Sequence, residues 1–323
     1  MERPLVSILI PCYNCEAWVS RAIETALAQT WEPKEIIVLD DGSSDRSLEI
    51  IQSFGNVIQA ISEPNRGQNG ARNRLTGLSK GEWLQYLDAD DELAPDKIEK
   101  QMMLAEQADV MYSSVEATFY RDLEYINSDK RLAEGYNDSW CAGFRWQFPN
   151  TTAFLFRRSA ICSVGGWNES LKNCTDYGLY FPLLLEGLRF RATPDAWSIY
   201  RQWSSEQAVY QAPQRLVLAR LQVMWNAVLK LEETQLLTIP RKQAFEESTF
   251  LVIRTLHLLN REKALKELQR LKEWNQNFCP QGASISKFYR WSYNLVGFSL
   301  AEILATVTRP LRHPWITVSN NRH

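Results

Sequence analysis

Asp88-Ala89-Asp90-Asp91 follows the apolar run Leu84-Gln85-Tyr86-Leu87. Two carboxylates two residues apart at the end of a strand can converge on a hard cation such as Mg²⁺ or Mn²⁺. A cation held there would neutralise a diphosphate. The same run can instead be a solvated acidic turn ahead of the next helix. With Glu92 it places four acids in five residues, a repulsion that is costly unless a cation relieves it.

A second acidic cluster is Asp40-Asp41-Gly42-Ser43-Ser44-Asp45. Its residue types suit a tight turn and a helix cap. Its first carboxylates can also accept a hydrogen bond from a nucleobase N–H, and the two uses are compatible. Tyr13, in Pro11-Cys12-Tyr13-Asn14, can stack on a base or pack as an ordinary aromatic. Arg72, in Ala71-Arg72-Asn73, can reach a phosphate or pair with a nearby carboxylate. Asp176 opens a helical segment after Asn173-Cys174-Thr175 and reads equally as a general base or a helix cap.

These residues need strands and helices to bring them together. Val6–Ile10 and Glu35–Leu39 read as buried strands, and Val57–Ile61, Trp83–Leu87 and Asp109–Ser113 as further strands. Between them, Glu16–Gln29, Ser44–Phe54, Asn69–Ser79 and Pro95–Gln107 have helical spacing. Such alternation predicts parallel βαβ units in a doubly wound, mostly parallel α/β sheet. Ligands bind such sheets beyond the carboxyl ends of the strands. Residues 11–14, 40–45 and 88–91 fall at those ends.

Residues 112–205 look irregular and aromatic-rich, with a strand at Thr152–Arg157 and a helix at Asp176–Leu185. The aromatic stretch Trp140–Phe148 can line a ligand groove or pack internally. From residue 211 the chain turns helical, with Pro240 dividing the first helices and a more apolar helix over Ser286–Thr306. The expected division is therefore a catalytic domain over 1–210 and a helical region over 211–323.

The formal charge of −2 offers no global field for nucleic acid or an anionic surface. Cys12-Tyr13-Asn14-Cys15 lacks the second pair or matched histidines that a zinc site needs. Scattered cysteines suit a reducing compartment, and the first apolar run is too short for a leader. A cytoplasmic location is the expectation. The mostly apolar stretch Trp291–Val307, flanked by Lys287, Arg290, Arg309 and Arg312, suggests contact with the inner face of the membrane. Packing on the catalytic domain or in a homodimer is the competing use.

In order and spacing these segments resemble the inverting family 2 glycosyltransferases of the GT-A fold. The likeness runs through Val6–Asn14, Glu35–Asp45, Asn65–Gly67, Ala71–Asn73 and Tyr86–Asp91, then through Phe154–Ile161 and Gly165–Glu169. The resemblance implies a nucleotide-diphosphate sugar donor, UDP-linked by preference, and a glycan or lipid-linked glycan acceptor. It implies a divalent cation, Mg²⁺ or Mn²⁺. By position, Pro11, Tyr13 and Asp41 would hold the nucleobase and Arg72 would sit near the donor. Asp88 would contact the ribose, Asp90 the metal, and Asp176 would be the catalytic base. Two departures stand out. Thr175 precedes the base where the family usually has Glu. Gln202 or Trp203 follows Tyr200-Arg201 where many members carry a metal-side His. A catalytically weak sugar-nucleotide-binding relative is the alternative. A dinucleotide-dependent dehydrogenase is disfavoured, since no G-x-G-x-x-G follows the first strand.

Overall fold

A computed structural model describes residues 3–121, 123–203 and 213–308. The chain forms two compact units, Met1–Gly143 with Gln147–Gln207, and Phe144–Trp146 with Ala208–His323. The first unit begins β1 (Val6–Cys12), α1 (Val19–Leu27), β2 (Lys34–Asp40), α2 (Ser47–Ser53), β3 (Gln59–Ser62), α3 (Gln68–Leu78) and β4 (Trp83–Tyr86). Then come β5 (Glu92–Leu93), α4 (Lys97–Met102), β6 (Val110–Arg121), β7 (Glu124–Arg131) and α5 (Ser139–Phe144). It closes with β8 (Phe154–Arg157), α6 (Arg158–Ser163), α7 (Thr175–Leu185) and β9 (Phe190–Gln202).

The nine strands form one sheet in the order β3-β2-β1-β4-β8-β6-β9-β5, with β7 added on β6. The first half, β3-β2-β1-β4, is parallel throughout, as the strand–helix alternation predicts. Strands β1 and β4 are apolar and buried along nearly their whole length because helices cover both sheet faces. On one face Val6, Ile8, Ile10, Ile36 and Val38 pack with Ala22 and Ile23 of α1 and Ile51 of α2. On the other, α3 lies against β1 and β2 and buries Ala71 and Leu75.

The second half differs from the alternating pattern. Strand β8 enters antiparallel between β4 and β6, and β6 pairs antiparallel with both β8 and β7. The segment that reads as irregular holds two long strands, β6 and β9, paired in parallel with a register shift at Ser113/Ser114. Hairpin strand β7 is mostly exposed, so no apolar alternation marks it. The helix expected over Pro95–Gln107 ends at Met102, and a short 3-10 turn covers Ala105–Gln107.

The second unit contains α8 (Pro213–Glu233), α9 (Ile239–Leu259), α10 (Arg261–Trp274) and α11 (Lys287–Thr308). Pro240 lies in the first turn of α9, where its missing N–H costs nothing. Asn260 caps α10 by accepting from the Lys263 N–H. Leu256, Leu268 and Leu271 are buried on the packed faces, whereas Leu258 and Leu265 are exposed. Among the described residues no helix is long and apolar enough to cross a membrane.

One glycine pins the entry to β4 against β1. Gly81 donates its N–H to Ser7 Oγ at 2.8 Å, and a Cβ there would lie 2.5 Å from that oxygen and 2.6 Å from the Ser7 nitrogen. Gly81→Ala should therefore destabilise the first unit by about 1–3 kcal/mol through overpacking. Urea unfolding would show this as a lower midpoint at unchanged slope; an unchanged midpoint would contradict it.

Candidate active site

Strand β1 lies between β2 and β4, where the strand order reverses, so its carboxyl end faces the crevice that such sheets use for ligands. The loops after β1 and β2 are stitched together there. Ser43 Oγ accepts the Asn14 N–H at 3.0 Å, Asn14 Oδ1 accepts the Ser44 N–H at 2.8 Å, and Asp45 Oδ2 accepts the Glu16 N–H at 3.0 Å. Asp45 Oδ1 also accepts the Ser47 N–H at 2.9 Å, closing the start of α2. Pro11, one residue before the end of β1, lies beside Leu39. Tyr13 just beyond it is 55% exposed, so its ring is open to a partner rather than packed.

Asp41 is buried, and its two oxygens accept the N–H groups of Arg66 at 2.7 Å and Gly67 at 3.0 Å. It thus fixes the loop that leads into α3. Gly42 makes this approach sterically feasible: its φ is +76°, and a Cβ would sit 2.9 Å from the Asn65 nitrogen.

Arg72, on α3, has no exposed surface. Its Nη2 donates to Asp88 Oδ1 at 2.7 Å, its Nη1 lies 3.9 Å from Asp176 Oδ1, and its guanidinium stacks 4.4 Å over the Trp167 ring. Burial alone would push this group towards its neutral form, but the two carboxylates reverse that and raise its pKa. The ion pair is therefore a buried one, linking the end of β4 to the start of α7.

The acidic run is divided by partner. Asp91 is fully buried and accepts from Thr152 Oγ1 at 2.6 Å, Asn150 Nδ2 at 2.9 Å and the Arg201 N–H at 3.0 Å. Burial, with Asp90 and Asp88 nearby, pushes its carboxyl well above the usual range. Glu92 pairs with Arg201 and, at 2.9 Å, with Arg21. Asp90 is only half-buried and accepts the Trp203 indole N–H at 2.9 Å. The repulsion expected to require a cation is thus relieved largely by protein groups.

Asp176 is not the cap of α7; that position is Cys174, in left-handed backbone. The Asp176 carboxylate instead accepts from Thr151 Oγ1 at 2.5 Å and leaves 31% of its side chain exposed. Burial raises its pKa above the ordinary 3.8, with Arg72 and the Thr151 bond opposing that rise. A carboxylate that is partly open, oriented by a hydroxyl and harder to ionise than usual suits proton abstraction.

Several of these partners went unrecognised in the sequence. Thr151, Thr152, Trp167, Arg201 and Trp203 each fix one of the acids or Arg72; Trp167 lies in the Gly165–Glu169 turn and Arg201 and Trp203 beside Tyr200, but no contact with an acid or with Arg72 is readable at those positions. Trp203, noted only as standing where a histidine is common, sits on Asp90. Cys12 and Cys15 are buried, and burial pushes the Cys12 thiol up to about 12, so neither is an activated nucleophile. Among the described residues, no three His, Cys, Asp or Glu side chains gather as a preformed cation cage. An ion shared with a diphosphate takes only one or two carboxylates, with phosphate oxygens and water completing its shell. Asp90 with Asp88, both half-buried at one strand end, fits that donor set.

A parallel half-sheet carrying acids at its strand ends, continued by mixed strands, defines a GT-A-type fold. The family model of glycosyl transferase family 2 matches residues 7–164, and this part of the chain belongs to that family. Chondroitin synthase of Pasteurella multocida is 34% identical over 190 residues, which cover 56% of this chain and 19% of that protein. The chain thus spans about a fifth of that relative's length. The crystal structure of S. aureus TarS 1–349 aligns with TM-score 0.63 at 17% identity, covering 95% of this chain and 93% of that one. Its complex with UDP-GlcNAc aligns with TM-score 0.54 at 15% identity, covering 87% and 94%. The structural likenesses confirm the fold class that the motif order implies.

Because Arg72 is shared by two carboxylates, Arg72→Met should destabilise the first unit by about 3 kcal/mol, leaving both acids without their cation. Arg72→Lys should recover only part of that, since the indole stack and the planar fork are lost. Denaturant unfolding of the two variants tests this; equal stability of Arg72→Met and wild type would refute it.

Proposed function

We propose that this chain transfers a sugar from a nucleotide-diphosphate sugar, UDP-linked by preference, to an acceptor hydroxyl with inversion at the anomeric carbon. The observation that carries this reading is the shared guanidinium: Arg72 holds Asp88, at the donor end of β4, and Asp176, the candidate base, on one buried cation. The UDP-GlcNAc complex of the structural neighbour TarS supports the choice of a UDP donor, and the likeness to a chondroitin synthase supports a glycan acceptor.

In this reading Tyr13 and Pro11 form the base platform and Asp41 shapes its edge. Asp88 faces the ribose. Asp176 takes the proton from the acceptor hydroxyl as that oxygen attacks the anomeric carbon and the nucleoside diphosphate leaves. Thr151 fixes the orientation of the base, and Arg72 keeps it ionised against burial. A divalent cation on Asp90, with Asp88 beside it, would supply charge neutralisation to the leaving diphosphate.

The alternative, a relative that binds sugar nucleotides but turns them over weakly, draws on one observation. The Trp203 indole engages Asp90 where a second metal-side ligand is common in the family. The base assignment separates the two readings. Asp176→Asn should lower transfer by about 10²–10⁴-fold while calorimetry shows donor binding retained. Since the base works only when ionised, wild-type kcat should fall as pH drops through a value above the ordinary 3.8. Turnover equal to wild type in Asp176→Asn would remove Asp176 from the mechanism, and absence of turnover in the wild type with retained binding would favour the alternative.

A further inference from the structure

In the second unit, helix α11 divides its apolar residues between two faces. Its inward face buries Tyr293, Phe298 and Ala301 together with the polar groups of Glu302, Ser292 and Tyr289. Glu302 accepts from Arg254 Nε and from the Tyr289 hydroxyl, each at 2.5 Å, and the Arg254 guanidinium lies 4.0 Å over the Tyr289 ring. The outward face carries further large apolar side chains. Phe288, Trp291, Leu295, Leu300, Ile303 and Leu304 are each between 45% and 64% exposed. Their spacing of three and four residues puts 288, 291 and 295 on one stripe, and 300, 303 and 304 on a second, on either side of the break at Gly297. A helix that buries its ion pair and presents its leucines outward has a binding surface rather than a solvent face.

Charge identifies the occupant. Residues 287–323 contain Lys287, Arg290, Arg309, Arg312 and Arg322 against a single acid, Glu302. That acid is already neutralised in the buried pair. The rest of the chain is net acidic, since the total is −2. Arg309, Arg312 and Arg322 lie outside the described residues and enter only as composition. A second copy seated stripe against stripe would bring the same basic segment with no exposed acid to meet it. An anionic headgroup layer supplies the complementary charge, and its acyl boundary takes up the apolar row. No described helix can cross a bilayer, so the mode is interfacial, with the helix lying in the plane of the surface.

We propose that α11 docks this protein on anionic lipid bilayers through Phe288, Trp291, Leu295, Leu300, Ile303 and Leu304, with Lys287 and Arg290 against the phosphates. The proposal is independent of the donor-site reading, because the test involves no sugar nucleotide. The full chain is sedimented with phosphatidylcholine vesicles with and without phosphatidylglycerol, beside the double variant Leu300→Glu/Ile303→Glu and the double variant Lys287→Gln/Arg290→Gln. Circular dichroism confirms folding, and light scattering reports oligomeric state. Wild type should bind the anionic vesicles at least about tenfold better than the neutral ones, and less at high salt. The glutamate pair should abolish binding, and the glutamine pair should weaken it several-fold, with both variants folded.

Three results would overturn the proposal. One is equal, weak sedimentation with both vesicle types. Another is a concentration-dependent dimer that the glutamate pair dissolves, which would assign the stripe to a second copy. The third is anionic-vesicle binding that the folded glutamate pair retains.

Discussion

A guanidinium with no exposed surface is costly to hold in a protein interior, by several kcal/mol even after relaxation. Arg72 is such a group, and the first unit is arranged around it. The strand end of β4 provides Asp88, the start of α7 provides Asp176, and the Gly165–Glu169 turn provides the Trp167 ring. Segments about a hundred residues apart in sequence are thereby set in one geometry. The cation also determines how readily Asp176 ionises, because it is the largest influence opposing burial there. Fold and chemistry share one contact.

The acid run next to it follows the same logic. Four carboxylates in five residues would repel one another if they were equivalent. Each has a different neighbour: Arg72 for Asp88, the Trp203 indole for Asp90, Thr152 with Asn150 for Asp91, and Arg201 with Arg21 for Glu92. Asp91 and Glu92 are buried and serve as struts, tying the loop after β4 to β9 and α1. Asp88 and Asp90 keep exposed edges and are the two able to meet a ligand.

The parallel half of the sheet was legible in the sequence because β1 and β2 carry near-continuous apolar runs and helices recur between the strands, although β3 is short and mostly exposed. Tyr13, Asp41, Asp88 and Asp90 were legible as strand-end residues for the same reason. In the mixed half β8 and the start of β6 were legible, whereas β7, exposed and polar, and β9 with the rest of β6, paired across a register shift, were not. Nor were the partners of the acids readable. Thr151 and Thr152 are two hydroxyls in a short 3-10 turn, and Trp167 and Trp203 are aromatics in an aromatic-rich stretch. Their roles depend on contacts made across about 25 to 113 residues of chain, which local pattern cannot encode.

In the proposed mechanism a divalent cation at Asp90 completes the charge of the nucleotide-sugar site. Thermal unfolding of the chain with saturating UDP-GlcNAc, in Mn²⁺ and in chelator, measures this directly, beside the Asp90→Ala variant. Ligand at about a hundred times its Kd should stabilise the wild type by about 2.7 kcal/mol, in Mn²⁺ alone, and Asp90→Ala should fold normally yet show no metal-dependent gain. A shift of equal size in chelator, or in Asp90→Ala, would contradict the assignment of Asp90; no shift with any nucleotide-diphosphate sugar would contradict the site itself.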